Sequence, residues 1–488
     1  MLRKTRIGAA LFWFTLLTLL FLDFTGGLHK WLGWLAHIQL IPAIIALHIG
    51  IIIVLILLTL LFGRVYCSVI CPLGVFQDGV SWVSAQRKKK KRRFRFSPAI
   101  SWLRYTLLGV FVLALIMGFN WLVAILEPYS AYGRIASTIF APVYQWGNNL
   151  LACVAERADS YLFYSTEVWL KSGLTLAVAI ATLTIISILA WRNGRTYCNT
   201  ICPAGTLLGF FSRFSYFKPI IDADKCNKCG LCARNCKASC INPEDQKIDY
   251  SRCVACMNCI GTCNKNALTY ARPRGKKDAK DSSRRNFLSA VGMVAVSATL
   301  KAQERKVDGG LAIIEDKKIP KRTTPIFPAG AESAKNFGQH CTACQLCVSV
   351  CPNQVLRPSE KLDRFMQPEM SYERGYCRPE CTKCAEVCPT HAIHPISVAE
   401  KSSIQIGHAV WFRRNCLTTK GVKCNNCARH CPTGAIMMVP SNTKDPNSIK
   451  IPAIDTSRCI GCGACENLCP ARPFSAIHVE GHERHSFI

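Results

Sequence analysis

The chain has 488 residues, 30 of them cysteine, with 60 Lys+Arg against 30 Asp+Glu and half of its residues hydrophobic. Its length excludes a small disulfide scaffold, and a mean hydropathy of +0.17 excludes a disordered basic tail. A formal charge of +30 suits nucleic acid, an anionic membrane surface or a negatively charged cofactor, and its location decides among them.

The front of the chain is apolar. Uncharged runs at 7–22, 41–62, 105–126 and 174–191 approach or reach the roughly 20 residues of a bilayer-crossing helix, so four transmembrane helices are expected. Arg3, Lys4 and Arg6 precede the first run as in a signal peptide, but no small-residue cleavage site follows it. Between the second and third runs stand Arg64, Arg87, Lys88, Lys89, Lys90, Lys91, Arg92, Arg93 and Arg95; the next loop has only Arg134, Arg157 and Lys171 beside Glu127, Glu156, Asp159 and Glu167. The basic segment is therefore expected in the cytoplasm, together with the N-terminus and the chain after residue 191. Its charge reads as a topology anchor facing lipid, and no nucleic-acid partner is expected.

A repeat follows the second and fourth runs. Residues 63–74 read GRVYCSVICPLG and residues 194–205 read GRTYCNTICPAG, so the front half reads as two duplicated two-helix units. Each copy supplies a Cys-x3-Cys-Pro pair, Cys67 with Cys71 and Cys198 with Cys202. Residues i and i+4 share a helix face, so each pair can offer two thiols to a metal or redox partner. A single site of four thiols and thiol–disulfide chemistry are both open.

Cys226, Cys229, Cys232 and Cys236 have the spacing C-x2-C-x2-C-x3-C, and Cys253, Cys256, Cys259 and Cys263 repeat it. Three cysteines at intervals of three wrap one cubane while the fourth crosses to a neighbouring cluster. The expected ligand sets are Cys226, Cys229 and Cys232 with Cys263, and Cys253, Cys256 and Cys259 with Cys236. Lys237 and Asn264 stand where proline usually follows the fourth cysteine, and Cys240 is an alternative to Cys236.

Beyond residue 270 a basic stretch leads to Ser-Ser-Arg-Arg-Asn-Phe-Leu at 282–288 and an uncharged run to residue 300. This is the layout of a twin-arginine export signal, read as a fifth membrane anchor that carries the rest of the chain across. Four more sets follow: Cys341, Cys344, Cys347 and Cys351; Cys377, Cys381, Cys384 and Cys388; Cys416, Cys424, Cys427 and Cys431; Cys459, Cys462, Cys465 and Cys469. Each ends in Cys-Pro. Four cubanes are implied there, about six [4Fe-4S] clusters in the chain. An oxidised cubane on four thiolates carries about −2, so six would bring the formal charge to roughly +18.

Residues 1–270 resemble the NapH family of membrane quinol-dehydrogenase subunits, within the NosR/NapH polyferredoxin group. Residues 282–488, with CLTTKGVKCNNCARHCP as the third set, resemble the NapG/MauM four-cluster ferredoxins, so the chain reads as a natural fusion of two subunits. The resemblance implies that the first set exchanges its fourth cysteine with the last and the second with the third, so that Cys351 would serve the Cys459 cluster and Cys388 the Cys424 cluster.

The expected fold class is membrane α-helical, four spans plus a fifth anchor, with ferredoxin-like α+β iron–sulfur modules. The expected domains are the four-helix membrane domain at 1–215, a cytoplasmic two-cluster module at 216–272, the signal anchor at 273–302 and a periplasmic four-cluster domain at 303–488. The implied function is electron transfer, in the bacterial inner membrane, from menaquinol or ubiquinol to a periplasmic reductase or cytochrome of the nitrate-reductase type. No terminal catalytic centre is recognisable: the chain has no nucleotide fingerprint and no C-x-x-C-H haem site. The alternative is a maturation or regulatory factor for a copper or haem oxidoreductase. Asp23, His37, His48 and Glu127 are the sparse ionisable residues available to a quinol. His48 is read as the one histidine deep inside a span, with no partner facing it for a two-histidine haem.

Overall fold

The computed structural model describes residues 2–23, 26–86, 94–160, 163–272 and 316–488. The basic run at 87–93 and the twin-arginine segment at 282–300 lie outside the described residues. Four apolar helices build the front half: α1 (Leu2–Leu22), α2 (Ile49–Phe62), α3 (Ser101–Met117) and α4 (Gly173–Asn193). α1 and α4, with 21 residues each, are long and apolar enough to cross a bilayer. α2 and α3 have 14 and 17 residues, about 21 and 26 Å at the helical rise, and are short of a bilayer's ~30 Å on their own.

The runs 41–62 and 105–126, expected to be continuous, are each broken. Leu47 has φ 53° and separates a short helix, Leu40–Ile45, from α2. Gly118 has φ 76°; its N–H reaches the Leu115 carbonyl at 3.4 Å while the Phe119 N–H takes the Ala114 carbonyl at 2.8 Å. That paired closure of the last turn ends α3, because the left-handed residue turns the chain out of the helix axis. The chain then folds back: Pro128–Ile135 is a helix buried at every position, its first turn capped by Glu127, which accepts from the Ser130 N–H at 3.1 Å. The first half has the same plan. Tyr66 donates to Gln39 at 2.9 Å and accepts from the Leu40 N–H, just ahead of Leu40–Ile45; its counterpart Tyr197 donates to the Leu126 carbonyl at 3.3 Å.

The helices run up and down between two cysteine-rich modules. At one end Arg6 of α1 meets Asp78, which Lys237 also reaches; Gly63, after α2, lies beside Ala255; Arg104 of α3 bonds Ser251; and Gly194, after α4, abuts Lys237. At the other end Phe21 of α1 packs on Gly133 beneath Cys344, His48 before α2 meets His391, Gly118 after α3 lies near Gln339, and Ser172 before α4 bonds Glu360.

The first module is closed by an antiparallel pair, Lys218–Ile221 with Leu268–Ala271, around a small hairpin. The second, residues 316–488, carries three antiparallel pairs, the longest joining Ile404–Trp411 to Ile477–Phe487. Buried cysteines occupy much of both interiors, as ferredoxin-like modules require: the clusters replace a conventional core and supply folding free energy.

Candidate redox site

The cysteines group three plus one. In the first module Cys226, Cys229 and Cys232 share a cavity with Cys263. Cys253, Cys256 and Cys259 share the neighbouring one with both Cys236 and Cys240. Cys236 and Cys240 lie 3.5 Å apart, sulfur to sulfur. A hydrogen bond from Cys240 brings the Cys236 thiol down to about 7, whereas Cys240, hydrogen-bonded to Cys236 and Cys253, is raised. Cys240 therefore stands between two thiols that ionise more readily than itself.

In the second module the exchange differs from the one expected by resemblance. Cys351 joins Cys377, Cys381 and Cys384, and Cys388 lies against Cys341, Cys344 and Cys347; burial, then Cys388, push Cys344 up to about 12. Cys431 joins Cys459, Cys462 and Cys465, and Cys469 joins Cys416, Cys424 and Cys427. Sets adjacent in sequence thus exchange, first with second and third with fourth.

A third constellation lies between the modules. Cys67, Cys71, Cys198 and Cys202 are all buried and converge, each copy's arginine crossing to the other copy. Arg64 Nη2 lies 3.7 Å from Cys67 Sγ and donates to the Cys198 carbonyl at 3.2 Å. Arg195 Nη1 lies 3.8 Å from Cys198 Sγ and donates to the Cys67 carbonyl at 2.7 Å. The repeat's closing glycines make room for this: a Cβ at Gly74 would collide with the Cys67 carbonyl and lie 2.6 Å from Arg195, and one at Gly205 would collide with the Cys198 carbonyl and lie 2.8 Å from Arg64. Gln77 donates to Cys198 Sγ at 3.2 Å. Asp78 holds Arg195 at 2.9 Å; burial opposes its ionisation, but Arg195, Lys237 and Arg6 outweigh burial and keep it well below the usual carboxylate range. Burial, then the neighbouring thiols, raise Cys71 and Cys202, as expected of a soft, apolar pocket whose thiolates need a positive partner.

These donor sets fit iron–sulfur clusters. All 30 cysteines are free thiols, so no disulfide competes. Four thiolates around one zinc ion stand about 3.8 Å apart at a Zn–S distance near 2.3 Å, yet among the described residues the one group whose three ligand atoms lie within 4.8 Å of one another is made of histidines. The cysteine sets are wider than a single ion needs.

That group is His37, His48 and His391. His48 is not inside a span: it is the residue before α2, and it faces two other histidines. Burial, then His391 and His48, lower the pKa of His37. Sequence periodicity gave no sign of this meeting, since His391 lies far along the chain beyond the second cysteine set. Of the other ionisable residues considered for quinol, Asp23 is bonded to His29 at 3.0 Å. Glu127 is buried between Tyr66 and Cys344, bonded to Ser130 through one oxygen.

Thiolate triplets with an exchanged fourth cysteine define an iron–sulfur electron-transfer protein of the ferredoxin type carrying multiple [4Fe-4S] clusters. Two family models match: a 4Fe-4S binding domain over residues 45–92 and 174–220, which takes in both Cys-x3-Cys-Pro copies, and a 4Fe-4S dicluster domain over residues 340–392 and 420–472. The chain is 30% identical over 171 residues to the methylamine utilization ferredoxin-type protein MauM of Methylophilus methylotrophus, covering 33% of this chain and 72% of MauM. It belongs to that ferredoxin-type family. It is 27% identical over 178 residues to the ferredoxin-type protein NapF of Escherichia coli K12, covering 36% of this chain and 99% of NapF. With the putative electron transport protein YccM of the same strain it shares 24% over 267 residues, 52% of this chain and 67% of YccM. No solved structure matches.

Proposed function

We propose that this chain conducts electrons across the bacterial inner membrane, from menaquinol or ubiquinol through iron–sulfur clusters to a periplasmic reductase or cytochrome. The observation that carries this reading is the converging quartet of Cys67, Cys71, Cys198 and Cys202 between two multi-cysteine modules at opposite ends of one helical bundle. α1 to α4 are the four spans. The module at 216–272 is cytoplasmic and the one at 316–488 periplasmic. In the first, Cys226, Cys229, Cys232 and Cys263 hold one [4Fe-4S] cluster and Cys253, Cys256, Cys259 and Cys236 the second. In the other, the four cavity sets hold four more, and the quartet holds a further iron–sulfur centre as the relay.

Clusters held by these cysteines would supply one-electron acceptors, so the two electrons of a quinol would leave in sequence as it becomes quinone, one proton passing to a carboxylate of the chain and the other to water. On this chain Glu127 is the carboxylate placed between the quartet and the first periplasmic cluster, where it takes a proton. Arg64 and Arg195 offset the thiolate charge of the quartet at the point where the modules meet the bundle.

The test is reduction of the purified protein in detergent by a menaquinol analogue, followed by bleaching of cluster absorption. Reduction of clusters in the wild type, and its loss in Glu127→Ala with iron content unchanged, is the expected result. If quinol leaves every cluster oxidised while dithionite reduces them, the quinol-driven reading is wrong and a maturation role takes its place.

A further inference from the structure

We propose that His37, His48 and His391 form a binding site for one divalent transition-metal ion at the junction of the helical bundle and the four-cluster domain. Each of the three imidazoles offers a ring nitrogen, and these nitrogens lie within 4.8 Å of one another. An ion at 2.0–2.1 Å from each nitrogen brings neighbouring donors to about 3.3 Å in tetrahedral geometry, a contraction within reach of side-chain rotation. Ring centroids lie 5.7 Å apart for His37 and His48, 5.8 Å for His37 and His391, and 4.8 Å for His48 and His391.

A further observation points to a ligand. The Nδ1 atoms of His37 and His48 are buried and have no hydrogen-bond partner among the described residues, so their desolvation is uncompensated unless something occupies them. Two buried, unpaired imidazole nitrogens within a cluster of three imidazoles are difficult to account for by packing, and simple to account for by coordination.

The donor set selects the metal class. Three neutral imidazoles with no carboxylate in the group suit zinc, copper(II), nickel or iron(II), and exclude calcium and magnesium, which take oxygen ligands. Three protein ligands leave a coordination position open for water or a small ligand. His37 and His48 come from the bundle and His391 from the four-cluster domain, three residues after Cys388. The ion therefore ties the two halves together beside the cluster nearest the bundle.

Zinc is the probe, since its X-ray absorption edge is distinct from that of iron. The full-length, cluster-loaded protein is dialysed against buffered zinc, then zinc and iron are counted and the zinc first shell is read by absorption spectroscopy. One zinc per chain, with imidazole scattering and no sulfur, is expected. His37→Ala, His48→Ala and His391→Ala should each bind zinc at least tenfold more weakly with iron unchanged, while His482→Ala, remote from the site, binds as the wild type does. If His391→Ala also loses iron through its neighbour Cys388, His37→Gln in the bundle decides by the same readout. A zinc shell dominated by sulfur, or equal zinc binding by wild type and His37→Gln, overturns the proposal.

Discussion

Cys236 and Cys240 differ in what their neighbours do to them. Both line the cavity of Cys253, Cys256 and Cys259, but Cys240 is hydrogen-bonded to Cys236 and Cys253 at once, so it sits too close to two corners of a cubane to be a corner itself. Cys236→Ser should therefore lose one cluster's iron, whereas Cys240→Ala should keep it and shift that cluster's potential, because the S–H donor to the ligand sulfur is gone; iron counting and a redox titration check both. Equal iron loss in the two variants contradicts the assignment. The sequence spacing allowed either cysteine, because nothing in C-x3-C-x3-C says which sulfur is left between two others. Gly205 belongs to the same scale. Its missing Cβ is the space that Arg64 Nη2 and the Cys198 carbonyl use, so Gly205→Ala should cost about 1–3 kcal/mol, read as a lower midpoint of thermal unfolding in detergent, and Gly74→Ala should match it by the pseudo-symmetry. The identities of the repeat were visible in the sequence from the start; that its arginines cross from one copy to the other was not, since crossing depends on how the two copies pack.

Among the elements, the short β-hairpins decide which cysteines meet. Leu356–Pro358 pairs with Pro368–Met370 directly after Cys351, turning the chain back so that the second set reaches the first. Ile436–Asn442 pairs with Asp445–Ile454 after Cys431 and does the same for the third and fourth. Spacing alone predicts that a fourth cysteine leaves its own triplet, but its destination depends on chain reversals that the Cys-Pro motif does not encode. The two exchanges can be separated by non-additivity. Cys351→Ser combined with Cys377→Ser should lose no more iron than either alone, because both act on one cluster, while Cys351→Ser combined with Cys459→Ser should lose twice as much. The reverse pattern would restore the exchange between first and last sets. The helices were more legible. α1 and α4 follow from hydropathy, and Gly118 ends α3 as a left-handed cap, a signal present in the sequence; the break at Leu47 carries no such mark, because a leucine at positive φ is held there by its surroundings.

At the scale of the molecule, the basic excess has two structural destinations. Arg64, Arg104 and Arg195 are buried where the bundle meets the two-cluster module, and Arg134 is buried beneath the four-cluster domain, placing positive charge beside thiolate-rich sites. The modules stand at opposite ends of four helices with the cysteine quartet between them, and on the proposed reading electrons pass through that quartet from one side of a membrane to the other. The most direct measurement uses proteoliposomes that enclose cytochrome c, with dithionite, which does not cross the bilayer, added outside. Wild-type protein should reduce the enclosed cytochrome, and Cys198→Ser should slow this at least a hundredfold while retaining the iron of the two modules. Reduction at the same rate in Cys198→Ser, or none in the wild type with its clusters intact, would contradict the account.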